Sequence, residues 1–295
     1  MRTKGSRSRL RRLPAVLAVL TLAGLWSSGC SITGMQTEPG ELLKQTVSGL
    51  SGTDDFRFTG TTNVSVGDRP MQEAAAFEGV VTGHNRLSMK FKRGAGTGAI
   101  GAMGAKSDAP VVFSRKQNEW VLAEPASESD ASLLLPWSPI FKLEQLNTMA
   151  KRVEGARDES DRKLTVLTVT PEPGDVTESV KRQLTRQSGM LDTDKKLSEL
   201  RTKLGMSEAE ASRLKDELDR NVQKTKRQLD EAAGSLQASS VYRIWVGRVD
   251  RLPQKMQVET DMSYTVDGQP KREKTRVDYQ FTGYGKAAGS AEKAE

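Results

Sequence analysis

The sequence predicts an α+β fold: an antiparallel sheet with one apolar face, helices to cover it, and one long charged helical segment. Three observations carry this. Stretches 56–91 and 241–281 alternate apolar and polar residues with a period of two, the pattern of strands buried on one face. The stretch between them, 175–237, changes to three-and-four spacing and is dense in charge, as amphipathic helices are. A hydrophobic fraction of 36% beside a charged fraction of 28% suits such a body rather than a polytopic membrane protein.

The 295 residues leave room for one or two domains and a sizeable core. A formal charge of +7 suggests a nucleic-acid partner until it is located. Arg2, Lys4, Arg7, Arg9, Arg11 and Arg12 sit in the first 29 residues with no acid among them. Without those six, 39 basic residues face 38 acidic ones. The basic character belongs to the N-terminus, and nucleic acid is not expected as a partner. One cysteine, Cys30, excludes an internal disulfide and a cysteine metal cluster. One histidine, His84, excludes a multi-histidine metal site.

Met1–Arg12 is a basic leader, and Leu13–Trp26 an apolar run of about 14 residues, too short to span a bilayer comfortably. Ser27-Ser28-Gly29-Cys30 follows. Small residues let the chain enter a peptidase groove extended, and the thiol is the nucleophile that accepts a diacylglyceryl group. This resembles the bacterial lipobox, with cleavage after Gly29 and lipid on Cys30, although Ser27 stands where that motif usually has leucine. Ser27 and Gly29 also suit ordinary signal peptidase, which leaves secretion without lipidation open. Residues 1–29 are therefore read as a signal peptide and 30–39 as a tether. The protein is expected outside the cytoplasmic membrane, anchored by its lipid.

Leu42, Leu43, Val47 and Leu50 recur at helical spacing before Gly52, predicting a short helix over Gly40–Gly52. Phe56, Phe58, Thr62, Val64 and Val66 share one parity and predict a strand. Gly67-Asp68-Arg69-Pro70 turns it into a return strand over Met71–Thr82. Gly83-His84-Asn85 turns that into a third strand with Leu87, Met89 and Phe91 on one face. Arg93–Pro110, rich in Gly and Ala, reads as a flexible loop. Val111–Phe113 and Trp120–Leu122 predict a hairpin, Ser127–Arg152 a helical or loop-like stretch, and Lys163–Thr170 a β-branched strand.

Asp175–Gln237 reads as helix broken into two or three pieces at Ser188-Gly189 and Leu204-Gly205. Leu197, Leu200, Leu204, Ala211, Leu214 and Leu218 form its stripe, continued with a drift by Val222, Leu229, Ala232 and Leu236. That stripe either packs on the protein's own sheet or forms a coiled coil with a partner or a second copy. Strands return over Val241–Val249, Lys255–Tyr264 and Thr275–Phe281, with a turn at Val266–Pro270. The end of the chain, 286–295, is small and polar and reads as a disordered tail.

Chemistry is scarce. His84 sits in a turn, with no Gly-x-Ser-x-Gly nucleophile to serve. Gly96-Thr97-Gly98-Ala99-Ile100-Gly101 matches a dinucleotide fingerprint in letters only, since no βαβ unit surrounds it. Asp54-Asp55 lacks calcium-loop spacing. No cofactor, metal or enzymatic activity is expected. What stands out is apolar surface: Phe56, Phe58, Phe77, Leu87, Met89, Phe91, Trp120 and Trp245. Either the protein's helices cover it, or it lines a partly open cavity that takes an acyl chain.

The order of lipobox, short helix, long meander, helical middle and C-terminal strands is similar to the LolA/LppX type of lipoprotein. The best local likeness is Val241-Tyr242-Arg243-Ile244-Trp245-Val246 followed by Leu252-Pro253-Gln254-Lys255-Met256. It looks like the tyrosine-x-isoleucine-tryptophan and leucine-proline strand pair common in such proteins; Gly79–Phe91 is a looser likeness. The resemblance covers 40–285, read as one domain that includes 175–237, a segment larger than the family has there. It implies a curved half-barrel wrapped on helices, with an apolar cavity that binds or transfers lipid-like molecules without catalysis. The alternative function is that of a surface interaction protein using the 175–237 helix.

Overall fold

The computed structural model describes residues 37–92, 110–117, 119–123, 134–189, 191–205 and 207–285. The leader 1–29, Cys30, the Gly96–Gly101 match and the tail 286–295 lie outside the described residues. Those described from Glu38 onward belong to one compact unit.

The first helix, α1 (Pro39–Ser51), starts one residue before the expected boundary because Pro39 occupies its first turn, where a missing N–H costs nothing. Leu42, Leu43, Val47 and Leu50 are its buried stripe, and Thr46 donates to the Leu42 carbonyl at 2.8 Å. Strands β1 (Phe56–Val66), β2 (Gln72–Thr82) and β3 (Arg86–Lys92) form the expected meander. Gly67, Gly83 and His84 take positive φ in its turns. The hairpin β4 (Val111–Lys116) and β5 (Glu119–Leu122) follows. A 3-10 turn (Leu135–Trp137) then leads into α2 (Pro139–Thr148).

One strand departs from expectation. Lys151–Arg157 is β6, pairing with β7 (Leu164–Pro171), where the sequence reading ends a helical or loop-like stretch at Arg152 and assigns no element to 153–157. KRVEGAR has a single large apolar residue, Val153, because β6 is an edge strand with little to bury. Charges along such an edge also discourage pairing with other chains.

The charged segment is three helices, α3 (Pro173–Gly189), α4 (Thr193–Leu204) and α5 (Glu208–Ser235). They break at Gly189 and at Gly205, whose φ is +62°. A capping box opens α5: Ser207 N–H donates to Glu210 at 2.9 Å, and Glu210 N–H donates to the Ser207 hydroxyl. Lys215 pairs with Asp194 at 2.7 Å, tying α5 to α4. Ala211, Ala232 and Leu236 of the stripe are buried, and Leu214, Leu218, Val222 and Leu229 are half-buried. The stripe is thus shared among helices that pack on one another and on the sheet.

Strands β8 (Gln237–Gly247), β9 (Pro253–Val266) and β10 (Gln269–Thr282) complete the sheet. Asp267-Gly268, both at positive φ, close the β9–β10 hairpin as a two-residue turn. All ten strands form one open antiparallel sheet in the order β5-β4-β3-β2-β1-β10-β9-β8-β7-β6. Two five-stranded meanders therefore meet where β1 pairs with β10. The chain passes from one outer edge to the other through the segment that carries α2.

The start of β8 runs past the last residue of β7 with which it pairs, Val169 opposite Tyr242. Its free edge is closed by α3: the Thr177 hydroxyl accepts from Ala238 N–H at 2.9 Å and donates to Ala238 C=O at 3.2 Å. An unpaired strand edge is thereby satisfied without a further strand.

Candidate functional site

The inner face of the sheet is the face its helices cover, and its register decides what meets there. Phe58 lies opposite Gly79, and Gly60 opposite Phe77 on one side and Tyr279 on the other. Each ring folds over the glycine it faces: a Cβ on Gly60 would come within 2.1 Å of the Phe77 ring, and one on Gly79 within 2.2 Å of the Phe58 ring. Glycine is required because the rings occupy the space of its missing side chain. Above Gly60, Phe77 and Tyr279 meet edge-on at 5.7 Å, and Trp137 reaches Phe77 at 6.2 Å.

Leu42, Leu43, Val47 and Leu50 of α1, and Ile140, Leu143 and Leu146 of α2, join these rings in one core cluster. Phe56, Phe58, Phe77, Leu87 and Met89 are all at most 1% exposed. They belong to this packed core, so the protein's own helices fill the space above them. Trp120 is buried at the margin and Phe91 half-buried. Trp245 is not among them. Ile244 and Val246 take the inner parity of β8, which turns Trp245 to the outer face, where its indole N–H donates to Asp158 at 2.8 Å. Reading apolar residues without their register grouped it with the wrong face.

At the β5 edge, Arg115 joins α2 to the sheet. Its guanidinium lies 5.7 Å from the Trp120 ring and 2.9 Å from Glu144 of α2. Burial raises the Glu144 carboxyl above its ordinary range, and Arg115 opposes that shift.

Three buried hydroxyls in this apolar layer have no hydrogen-bond partner: Thr62, Ser138 and Tyr279. Thr62 and Ser138 are 0% exposed and Tyr279 1%. Thr62 pairs with Val277 and is the diagonal neighbour of Tyr279 across β1 and β10. Ser138 follows Trp137, whose ring touches Phe77. It occupies the N-cap of α2 without making the usual side-chain cap bond. Thr62 thus borders the Phe77–Tyr279 contact, and Ser138 follows the tryptophan that meets Phe77. Burial, with Tyr242 beside it, holds the Tyr279 phenol well above its ordinary pKa, and burial pushes Tyr242 up to about 12. Both stay protonated, able to donate. Sequence reasoning missed these residues, since hydroxyls among strand alternation carry no signal of their own.

Thr62 also marks a boundary. The β1–β2 register slips between Thr62 and Asn63, the kind of irregularity often found beside sites. Beyond it β1 loses its cover: Val64 is half-buried and Val66 44% exposed, with Met71 at 43% across the turn. Across β10, Thr275 and Glu273 stand beside Val64 and Val66, with half-buried Met262 and Tyr264 on β9 beyond them, whereas half-buried Phe91 lies in the Phe77 row against the core. The inner face is sealed at its Phe56 end and less covered along β1 at its Val66 end, with Thr62 at the junction.

Elsewhere His84 has a structural role: its ring and backbone N–H contact Asp54 at 2.9 and 3.0 Å, clamping the β2–β3 turn. Among the described residues no three His, Cys, Asp or Glu come together as a metal site, and no helix is long and apolar enough to cross a membrane.

No family model and no curated protein matches the chain. Solved structures do. One described as lipid–protein interactions in lipovitellin aligns over 82% of this chain at a TM-score of 0.39 and 8% identity; the chain spans 26% of that protein. A LolA superfamily protein from Nitrosomonas europaea aligns over 83% of this chain and 93% of its own, with TM-score 0.27 and 10% identity. LprF from Mycobacterium bovis aligns over 84% and 92%, with TM-score 0.27 and 10% identity. The solved structures to which this chain is similar thus include a LolA superfamily protein.

Proposed function

We propose that the protein is an exported lipoprotein, held by a lipid on Cys30 at the outer side of the cytoplasmic membrane, that binds an apolar, lipid-like ligand on its inner sheet face. The role is binding or transfer, without catalysis. The observation that supports it is the set of partnerless buried hydroxyls, Thr62, Ser138 and Tyr279, with Thr62 at the point where β1 begins to lose its cover. Buried polar groups in folded proteins are nearly always satisfied. A ligand with a hydrogen-bonding end at Thr62 and Tyr279 and an apolar body along β1 satisfies buried hydroxyls and covers Val64 and Val66 together.

The alternative, in which 175–237 recruits a partner or dimerises, is weakened because α3, α4 and α5 spend part of their apolar stripe on one another and on the sheet. Native mass spectrometry of the full-length protein, released gently from membranes, tests the ligand. The expected spectrum carries a lipid mass beyond the covalent anchor. A single ligand-free mass, with no uptake of added fatty acid or diacylglycerol, contradicts it. Cys30→Ala tests the address: the expected product leaves the membrane fraction, and one that is membrane-bound and processed as before refutes lipidation.

A further inference from the structure

A second site lies away from the inner face. A cleft of about 560 Å³ separates α3 from α5. It exists because α5 presents Ala233 and Gly234 there; a Cβ on Gly234 would meet nothing within 4 Å. The opposite wall is basic, with Lys181, Arg182, Thr185 and Arg186 of α3 lining it. Lys181 is paired with Glu178, also in the wall, at 3.5 Å. Arg182 and Arg186 are exposed and have no ion-pair partner among the described residues.

These two guanidiniums stand one helical turn apart, where like charges repel by roughly 0.2–0.5 kcal/mol. Glu231, on α5 one turn before Gly234, is engaged elsewhere, accepting from the backbone N–H groups of Asp267 and Gly268. The α3 dipole accounts for a cation at Arg186 in the last turn, but not for Arg182 a turn earlier. Two free guanidiniums flanking a hydroxyl, over a floor of Ala233 and Gly234, match the planar, multidentate recognition that phosphate oxygens accept.

We infer that the α3–α5 cleft binds a phosphate group, with Arg182 and Arg186 donating to its oxygens and the Thr185 hydroxyl donating between them. This site is independent of the inner face. Calorimetric titration of the full-length protein in non-ionic detergent tests it with inorganic phosphate and with short-chain phosphatidylglycerol. Short-chain diacylglycerol, which lacks phosphate, reports the inner face separately. The expected result is salt-sensitive binding of at least one phosphate probe, weakened tenfold or more in Arg182→Ala/Arg186→Ala. Gly234→Leu, which keeps every charge and fills the floor, is expected to weaken it as well. Equal binding of both probes assigns the site to soluble phosphates; binding of phosphatidylglycerol alone assigns it to a lipid headgroup. Binding of neither probe, or unchanged binding in either variant with circular dichroism intact, overturns the inference.

Discussion

Replacing Tyr279 by phenylalanine should move stability and ligand affinity in opposite directions. In the ligand-free protein the Tyr279 hydroxyl is buried without a partner. Such a group costs about 1–3 kcal/mol in lost hydration. Tyr279→Phe removes that cost and leaves a void of one oxygen, for a net gain of about 1–2 kcal/mol. With a urea m-value near 3 kcal/mol/M, the midpoint of delipidated protein rises by roughly 0.3–0.7 M. On the proposed function the same hydroxyl would give the ligand a hydrogen bond worth about 0.5–1.5 kcal/mol, so affinity should fall by roughly 2- to 13-fold. Thr62→Val, equal in shape and also lacking the hydroxyl, should repeat both signs. Tyr264→Phe is the control: its hydroxyl already donates to Glu273 at 3.2 Å and should yield no gain. Urea unfolding before and after lipid loading measures the pair of effects. A loss of stability in delipidated Tyr279→Phe would show that the hydroxyl is already satisfied, and the reasoning would fail.

Two further predictions rest on the sheet. Gly60→Ala places a methyl 2.1 Å from the Phe77 ring, so overpacking of about 1–3 kcal/mol should exceed the 0.5–1 kcal/mol that alanine ordinarily gains over glycine in a strand. Phe77→Ala in the same chain should cost less than the sum of the two single changes, and additive costs by urea unfolding would deny the contact. Asp158 is held at about 2, below its ordinary 3.8, by the Ser160 hydroxyl first, then by backbone N–H groups and the Trp245 indole. A carboxyl lowered on folding stabilises above its unfolded pKa and loses that stabilisation as pH falls through the folded one. Asp158→Asn should therefore flatten the stability profile between about pH 4 and pH 2. An acid profile identical to wild type contradicts the assignment.

The strand residues were legible wherever alternation was strong, as in Phe56-x-Phe58 and Leu87-x-Met89-x-Phe91, because a half-buried strand must repeat every two residues. The helical segment broke at its glycines for an equally local reason. β6 was not legible: an edge strand buries little, and Lys151–Arg157 has almost no alternation to read. Trp245 went astray because its face is set by register with Ile244 and Val246, not by its own size. The Gly60–Phe77 and Gly79–Phe58 pairings, and the hydroxyls of Thr62, Ser138 and Tyr279, depend on which strands lie side by side. The pairing of β1 with β10 joins residues more than 200 positions apart, and local patterning carries no trace of it.

The most direct test of the ligand site is photocrosslinking of a fatty acid whose photoreactive group sits in its acyl chain, followed by peptide mapping. The account predicts adducts on β1 and β9 around Val64, Val66 and Tyr264, lost when unlabelled lipid competes. Adducts confined to the α4–α5 stripe, or scattered over the surface without competition, would contradict it.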